Sequence, residues 1–234
     1  MTGTTLYLAT FLLVDTAVLL GLLIYFICRR IKRRRIRHYG DRAEQLVEDT
    51  LREEFQGAAV LRNVFLPNGR GSTQIDHILL SKWGVWVIET KSHNGTIRAS
   101  GRDWVQLWGD KVVYFHSPLK QNEIHRKALE ALLREKKAFR GIRVRAVTVF
   151  TSDKVQLPRG KEGIVRLKDL ARYVKGGGKL SSRRVPLTGE LHGRYLDRQK
   201  ILRLESYIKK RCVKSRRGKK EHERRVRRRD RNRL

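Results

Sequence analysis

The fold is determined by residues 73–91, which read TQIDHILLSKWGVWVIETK. Two apolar runs flank the four residues SKWG at 81–84, a pattern typical of a β-hairpin. Asp76 lies within the first run, and Glu89 and Lys91 end the second. Charges at the edge of such apolar strands are costly to bury, so these three side chains indicate a function.

Asp76 and the Glu89-Thr90-Lys91 segment form the candidate chemical site. Side chains two residues apart on a strand point to the same side, so Glu89 and Lys91 share a face, and the hairpin brings Asp76 towards them. Adjacent carboxylates repel each other, and Mg²⁺ (or Mn²⁺), which binds oxygen ligands, relieves that repulsion. Asp76, Glu89 and the Thr90 carbonyl are therefore candidate metal ligands. Lys91 is a candidate to hold or deprotonate an attacking water. The spacing D-x(12)-E-x-K alone also fits exposed strand charges or a simple ion pair.

The periodicity on either side of the hairpin predicts an α/β chain. Helical spacing predicts an amphipathic helix over residues 40–55 and a long helix over 119–139, with Ile124 among its buried side chains. The nearly all-apolar run 144–151 (VRAVTVFT) is typical of a central strand that is buried on both faces. Shorter strands are predicted at residues 59–65, 96–99, 104–107, 111–115 and 164–167. Further helices are predicted at residues 168–174 and 193–211. This order predicts a mixed sheet flanked by helices.

The composition is strongly basic. Lys and Arg total 54 against 23 Asp and Glu, which gives a formal net charge of +31. Such a charge attracts polyanions, namely DNA, RNA or anionic lipid, although a solvated basic surface is the simpler alternative. The two cysteines, Cys28 and Cys212, lie far apart without a CxxC partner, which excludes a disulfide scaffold or a cysteine-rich zinc site.

The N-terminal segment is apolar. Residues 5–28 (TLYLATFLLVDTAVLLGLLIYFIC) exceed the roughly 20 residues of a spanning helix, with Asp15 as the one ionisable residue. The basic run 29–37 (RRIKRRRIR) follows, and positive charge stays on the cytoplasmic side. We therefore predict a single-pass anchor in the cell membrane, with the N-terminus outside and the rest cytoplasmic. A cleaved signal peptide is less favoured, because residues 1–5 contain no Lys or Arg and the apolar run is too long.

Several segments together resemble the nuclease-related domain (NERD), a branch of the PD-(D/E)xK nuclease superfamily. They occur in family order over about residues 38–150: GDRAE (40–44), GSTQIDHI (71–78), GVWVIETK (84–91), GTI (95–97) with Trp104, and SPLKQN (117–122). The resemblance implies a restriction-endonuclease-like PD-(D/E)xK core, DNA as the substrate class, and Asp76, Glu89 and Lys91 as the catalytic triad.

The resemblance also assigns two residues outside the hairpin. Glu44 lies where the family has a helix carboxylate, which adds a metal ligand, although the family often has Gly-Glu where this chain has Ala43-Glu44. Glu48, one helical turn further on, is the alternative. Gln121, at the start of the long helix, is implied to reach the site or the phosphate. His77 and His125 are candidates to assist, but a histidine beside a strand carboxylate is more often structural.

The chain is thus predicted to consist of four segments. They are the anchor with its basic run at 1–37, the nuclease-like domain at 38–175, a linker with a C-terminal helix at 176–211, and a basic disordered tail at 212–234. The predicted function is a membrane-anchored, metal-dependent nuclease that hydrolyses DNA phosphodiester bonds. The alternatives are a non-catalytic membrane tether for nucleic acid and a basic adaptor for anionic lipid.

Overall fold

The computed structural model describes residues 3–69, 71–100, 103–180 and 196–212, without the side chains at 3–10, 12, 13 and 100. It divides into two units, Met1–Arg42 and Ala43–Leu234. The strands are β1 (Ala59–Pro67), β2 (Ser72–Ser81), β3 (Gly84–Lys91), β4 (Thr96–Ser100), β5 (Asp103–Trp108), β6 (Lys111–His116), β7 (Val144–Phe150) and β8 (Ile164–Arg166). The α-helices are α1 (Gly3–Glu54), α2 (Pro118–Arg134), α3 (Leu170–Lys175) and α4 (Arg198–Arg211), and short 3₁₀ turns lie at Lys137–Phe139 and Leu167–Asp169.

Five strands form a mixed sheet in the order β1-β2-β3-β7-β8. The first three strands are antiparallel, whereas β7 and β8 run parallel to β3. The hairpin between β2 and β3 closes at the pair Ser81 and Gly84, and Gly84 adopts φ 106°, which glycine reaches at low cost. The predicted α/β class, the mixed sheet and the flanking helices are confirmed.

Helices cover both faces of this sheet. On one face α2 and α4 pack against β1 and β2, and the shared core includes Ile78, Leu129 and Leu204. On the other face, Val47 and Leu51 of α1 join a core that includes residues of β3, β7 and α3. Full burial of each such side chain contributes about 1.5–3 kcal/mol. Strand β7, which was predicted from the apolar run 144–151 to be buried on both faces, is therefore covered on both sides, as its pattern indicated.

The remaining strands form a separate antiparallel meander, β4-β5-β6. Ile97 and Trp104 pack with Phe150 at the end of β7 and with Val155, in a third apolar cluster. Gln156 exchanges backbone hydrogen bonds with this meander, donating to Gly95 O at 2.9 Å and accepting from Ile97 N at 2.9 Å. The meander thus begins five residues after Lys91 and is fixed to the end of the main sheet.

Two expectations about helices are corrected. Ile124 of α2 is 49% exposed, because Asn122 and His125 occupy the face that contacts the sheet. The helix predicted over 119–139 ends at Arg134 and is followed by a separate 3₁₀ turn. The interior of α2 is thus partly polar, which positions polar groups against the sheet.

The N-terminal helix is continuous from Gly3 to Glu54, so the segments predicted at 5–28 and 40–55 belong to one element. In the described part of the chain, no helix has both the length and the apolar character needed to cross a membrane. Within residues 14–31, Asp15, Arg29 and Arg30 interrupt the apolar run. The predicted span is not supported here, and its side chains at 5–10, 12 and 13 lie outside the described residues.

The C-terminal helix α4 begins at Arg198 rather than at residue 193. Its N-cap is Asp197, whose side chain accepts a hydrogen bond from Lys200 N at 2.7 Å, an arrangement that satisfies an otherwise unpaired helix N–H. Residues 181–195 of the predicted linker, and the predicted tail after Cys212, lie outside the described residues.

Candidate active site

The site begins where β2 and β3 separate. Their antiparallel pairing extends only as far as His77 and Ile88, after which β3 continues alongside β7. Asp76 is the first residue of β2 beyond that pairing, and its Oδ2 accepts a hydrogen bond from Thr90 N at 2.8 Å. The carboxylate thus satisfies a backbone N–H of β3 at the point where strand pairing with β2 has ended.

Glu89 is the buried acid of the site. Only 2% of the residue is exposed, and Oε1 accepts a hydrogen bond from Lys91 Nζ at 2.6 Å. Its Oε2 lies 3.2 Å from His125 Nε2, and neither of these two atoms has a hydrogen-bond partner among the described residues. Glu89 therefore presents one oxygen to Lys91 and the other to the α2 helix.

Lys91 connects Glu89 to α2. Its Nζ also donates to Oε1 of Gln121 at 3.1 Å, and Gln121 lies in the first turn of α2. That turn is fixed by Ser117, whose hydroxyl accepts from Lys120 N at 3.3 Å as the helix N-cap. The structure thus brings Asp76, Glu89, Lys91 and Gln121 together at one end of the β2–β3 hairpin.

The two carboxyl groups have opposite pKa shifts. Burial and the charge of Glu89 raise the pKa of Asp76 well above its ordinary value, and the Thr90 N–H offsets only part of this effect. Burial also acts to raise the pKa of Glu89, but the Lys91 ammonium and His125 outweigh it, so that pKa is lowered. The surroundings of Glu89 therefore stabilise its anion, whereas those of Asp76 disfavour its anion.

Glu44 and Glu48 lie in different electrostatic surroundings. Glu44 Oε2 is 3.4 Å from Arg62 Nε and accepts from Asn63 Nδ2 at 3.3 Å, and its charge adds to the raised pKa of Asp76. Glu48 pairs with Arg52 at 2.7 Å and with Arg62 at 3.4 Å. Glu44 is therefore the helix carboxylate whose charge acts on Asp76.

A divalent cation fits the oxygen donors of this site. In the part of the chain that the structure describes, no three His, Cys, Asp or Glu side chains gather into a metal-binding group. Asp76 and Glu89 nevertheless repel each other, and Glu89 Oε2 is buried without a hydrogen bond. Mutual repulsion and an unsatisfied carboxylate oxygen are both relieved by a cation, so the donor set is suited to Mg²⁺ or Mn²⁺.

Two polar residues near the site were not predicted from the sequence. Thr73 Oγ1 lies 2.8 Å from His125 Nδ1, and both residues are buried. Asn122 Nδ2 donates to Val147 O at 2.8 Å and approaches Val87 O at 3.4 Å, so it fixes α2 to two strands. His125 itself was a candidate from the sequence, whereas nothing in the local sequence distinguishes Thr73 or Asn122.

Comparison with known proteins finds a family match in the part of the chain that contains the site. Residues 39–151 match the nuclease-related domain, NERD. An uncharacterized protein of Bacillus anthracis is 37% identical to this chain over 100 residues. That alignment covers 41% of this chain and 47% of the relative, so the chain spans about half the length of the protein that it matches. No solved structure matches the chain.

The region that matches NERD, residues 39–151, contains every residue of the candidate site and ends just after β7. Elements beyond it complete the fold, since β8 pairs with β7 and α4 packs against β1 and β2. Ile201, Leu204 and Ile208 of α4 are buried in the core that also contains Leu129 of α2. The elements after the NERD domain therefore contribute to the core rather than to the site.

Proposed function

We propose that this chain is a metal-dependent nuclease that hydrolyses phosphodiester bonds in DNA. The NERD domain suggests a nuclease-related function. The observation that carries the proposal is the contact of Lys91 with the buried Glu89 beside Asp76, a carboxylate whose pKa is raised. Strongly perturbed titratable groups that converge on one place are typical of functional sites.

The residues have separate roles in this proposal. Asp76, Glu89 and the Thr90 carbonyl would hold Mg²⁺ or Mn²⁺. The described residues do not gather a third carboxylate with them, so Glu44 would have to move towards the ion to serve as a further ligand. The bound cation would supply Lewis-acid activation of the phosphate and of a water molecule. Lys91 holds the attacking water and stabilises the negative charge that develops on the phosphate oxygens. Gln121 accepts from Lys91 Nζ and so keeps the ammonium directed at the reacting group.

The reaction is an in-line hydrolysis. A water oxygen forms a bond to phosphorus and releases its proton to solvent, while the bond from phosphorus to the leaving oxygen breaks and the leaving oxygen takes up a proton. Lys91, as the ammonium, donates a hydrogen bond that orients the attacking water, and 18% of its side chain is exposed for this contact. A net charge of +31 attracts the substrate, with RNA as the alternative polyanion.

The location that we propose is the cell membrane, with a single span formed by residues 5–28. The apolar character of that run and the basic residues 29–37 support this part of the proposal. The excess of positive charge favours a cytoplasmic nuclease domain and an external N-terminus. The same basic run is suited to anionic lipid headgroups, which would hold the domain against the membrane surface.

A second candidate function is a membrane tether that binds nucleic acid without cutting it. It is favoured by the 12 Lys and Arg residues against 3 acidic residues in residues 213–234. Binding through such a segment depends steeply on salt and does not need Lys91. Removal of residues 213–234 is expected to weaken DNA affinity and reduce its salt dependence, and an unchanged affinity and salt dependence would exclude the tail from this role.

Cleavage by the full chain tests the proposal. The protein, purified in detergent, is incubated with circular DNA, linear DNA and RNA in Mg²⁺, Mn²⁺ or EDTA, beside Asp76→Asn and Lys91→Met variants. Lys209→Met is the matched control, because Lys209 makes the same 2.6 Å contact with a glutamate, Glu205, on the exposed face of α4. Metal-dependent cleavage that only the two site variants lose is the expected result. Tight DNA binding without cleavage by the unmodified protein would favour the tether instead.

A further inference from the structure

We propose that His125 is a positioning residue that fixes the orientation of the Glu89 carboxylate, and that Thr73 in turn fixes the His125 ring. The effect that this inference predicts on DNA cleavage rests on the proposed nuclease function. The Thr73–His125–Glu89 row crosses from β2 through α2 to β3, all of it inside the protein: the three residues are 5%, 4% and 2% exposed. None of the roles described above uses His125 or Thr73.

The two contacts of His125 use different nitrogens of its imidazole ring. Thr73 Oγ1 lies 2.8 Å from His125 Nδ1, and His125 Nε2 lies 3.2 Å from Glu89 Oε2. A carboxylate only accepts hydrogen bonds, so the nitrogen that faces it must carry the hydrogen. In the neutral ring Nδ1 is then an acceptor, and the Thr73 hydroxyl donates to it. The threonine therefore selects the tautomer that directs N–H at Glu89.

Helix α2 holds both members of the Glu89–Lys91 pair. Gln121 contacts Lys91 Nζ at 3.1 Å, and His125, one helical turn later, contacts the other oxygen of Glu89. Residues four apart lie on the same side of a helix, so one rigid element sets the positions of both side chains. Asn122 fixes this part of the helix to the backbone carbonyls of β3 and β7. Helix α2 therefore holds the Glu89 and Lys91 side chains in fixed positions relative to the sheet.

The contact between His125 and Glu89 is close but not aligned. Nε2 and Oε2 are within ion-pair distance, yet neither atom completes a hydrogen bond. Hydrogen bonds in a catalytic site are often poorly aligned before the ligand binds and tighten in the complex. A small rotation of the carboxylate aligns the two atoms, and no other described side chain competes for Oε2.

Substitutions that preserve the contact of only one imidazole nitrogen test the inference on the full chain. The amide of Gln reaches the position of Nε2, so His125→Gln keeps a donor for Glu89. The shorter His125→Asn keeps a partner for Thr73 only, and His125→Phe keeps neither. Thr73→Val removes the hydroxyl at constant shape. Leu132→Ala, which leaves a cavity on the buried face of the same helix, is the control for loss of stability alone.

Steady-state DNA cleavage and thermal unfolding are measured for each variant. We expect His125→Asn and His125→Phe to lose about 10–100-fold in kcat with little change in KM, because groups that orient a metal ligand typically contribute that much. His125→Gln is expected to stay within about 5-fold of the parent protein, and Thr73→Val to fall between them. Leu132→Ala is expected to lower Tm and to retain kcat. Equal kcat in the Gln, Asn and Phe variants, or losses that follow Tm as in Leu132→Ala, would overturn the proposal.

A second readout separates this inference from the nuclease proposal. In metal-free protein at pH 7, the ¹³C resonance of the Glu89 side-chain carboxyl, assigned with Glu89→Gln, reports the contact directly. We expect it to move in His125→Phe and His125→Asn and to return towards the parent position in His125→Gln. If the parent protein cuts no DNA but the resonance behaves in this way, the nuclease function fails and the positioning role stands. An unmoved resonance in His125→Phe contradicts the positioning role whether or not DNA is cut.

Discussion

Thr90 N donates a 2.8 Å hydrogen bond to Asp76 Oδ2 at the point where β2 and β3 cease to pair. One oxygen of this carboxylate therefore replaces a strand partner, and the pKa of the group is nevertheless raised by burial and by Glu89. Because the N–H contact favours the anion, the raised pKa shows that burial and repulsion dominate. The surroundings of Asp76 therefore favour the protonated form over the anion.

Asp76→Asn is expected to stabilise the metal-free protein at pH 7 while abolishing cleavage. The Asn oxygen still accepts from Thr90 N, and the repulsion with Glu89 is removed. We expect a gain in the free energy of unfolding on the order of 1 kcal/mol, the usual size of a single-substitution effect. Chemical denaturation in EDTA measures it, and a DNA cleavage assay measures the loss of activity.

The pH dependence of this gain has a defined sign. A carboxyl whose pKa is raised by folding contributes stability below its ordinary pKa of about 3.9 and loses it as the pH rises through the raised value. The advantage of Asp76→Asn should therefore be present at pH 7 and disappear near pH 3. Equal stability of the two proteins at pH 7, or a variant that is less stable there, would contradict the raised pKa.

Lys91→Met is expected to destabilise the fold through Glu89. The substitution leaves a buried carboxylate without its 2.6 Å partner, and breaking a buried ion pair from one side typically costs about 3–5 kcal/mol. Adding Glu89→Gln to Lys91→Met removes the unpaired charge and should restore more than half of the loss. Urea denaturation of the two single variants and the double variant gives the coupling energy directly.

The exposed pair of Lys209 and Glu205 is the control for this experiment. Its lysine side chain is 59% exposed, and exposed ion pairs contribute about 0–1 kcal/mol. Lys209→Met should therefore change the free energy of unfolding by less than about 1 kcal/mol. A Lys91→Met variant that is no less stable than Lys209→Met would show that Glu89 does not depend on its lysine.

The hairpin could be predicted from sequence because the residues that specify it are close together in the chain. The two apolar runs on either side of residues 81–84 indicated the strands, and β3 occupies Gly84–Lys91. Alternation also placed Glu89 and Lys91 on one face, where the structure joins them at 2.6 Å. The contact of Asp76 with a backbone N–H rather than with Lys91 depends on where β2 and β3 separate, and no local pattern encodes that position.

The polar interior of α2 was not predictable in the same way. Apolar periodicity placed Ile124 inside, but Ile124 is 49% exposed while Asn122 and His125 are buried. A buried polar side chain is tolerated only where it finds partners, and these partners lie on β2, β3 and β7, far away in sequence. Sequence periodicity thus failed at the part of the helix that contacts the site, since tertiary contacts there outweigh apolar pattern.

Metal binding should be detectable without substrate. Mn²⁺ that binds the folded protein at a concentration 100 times its dissociation constant adds about 2.7 kcal/mol, which for a domain of this size raises Tm by about 5–10 °C. Asp76→Asn and Glu89→Gln should remove most of this increase. Thermal unfolding with and without Mn²⁺ measures it, and an equal increase in both variants and the parent would place the ion elsewhere on the chain.

His77→Leu is expected to stabilise the protein against acid. His77 is fully buried between β1 and β3, and neither ring nitrogen has a hydrogen-bond partner among the described residues. Burial lowers the pKa of this histidine to about 4, with smaller contributions from nearby charges that include Glu48 and Arg62. The folded state therefore resists protonation of a ring that the unfolded chain protonates below about pH 6.5.

The stabilisation by His77→Leu is expected to depend on pH. A base whose pKa is lowered by folding contributes stability above pH 6.5 and loses it as the pH falls through 4, which amounts to about 3 kcal/mol for a shift of this size. His77→Leu should therefore unfold at higher urea concentration than the parent at pH 4.5, with a smaller difference at pH 7.5. His93, whose pKa burial also lowers to about 4, leaves part of the acid sensitivity in place. His38→Leu, at an exposed position of α1, should reproduce the pH dependence of the parent, and a His77→Leu variant that does the same would show that the His77 ring is not protonated on unfolding.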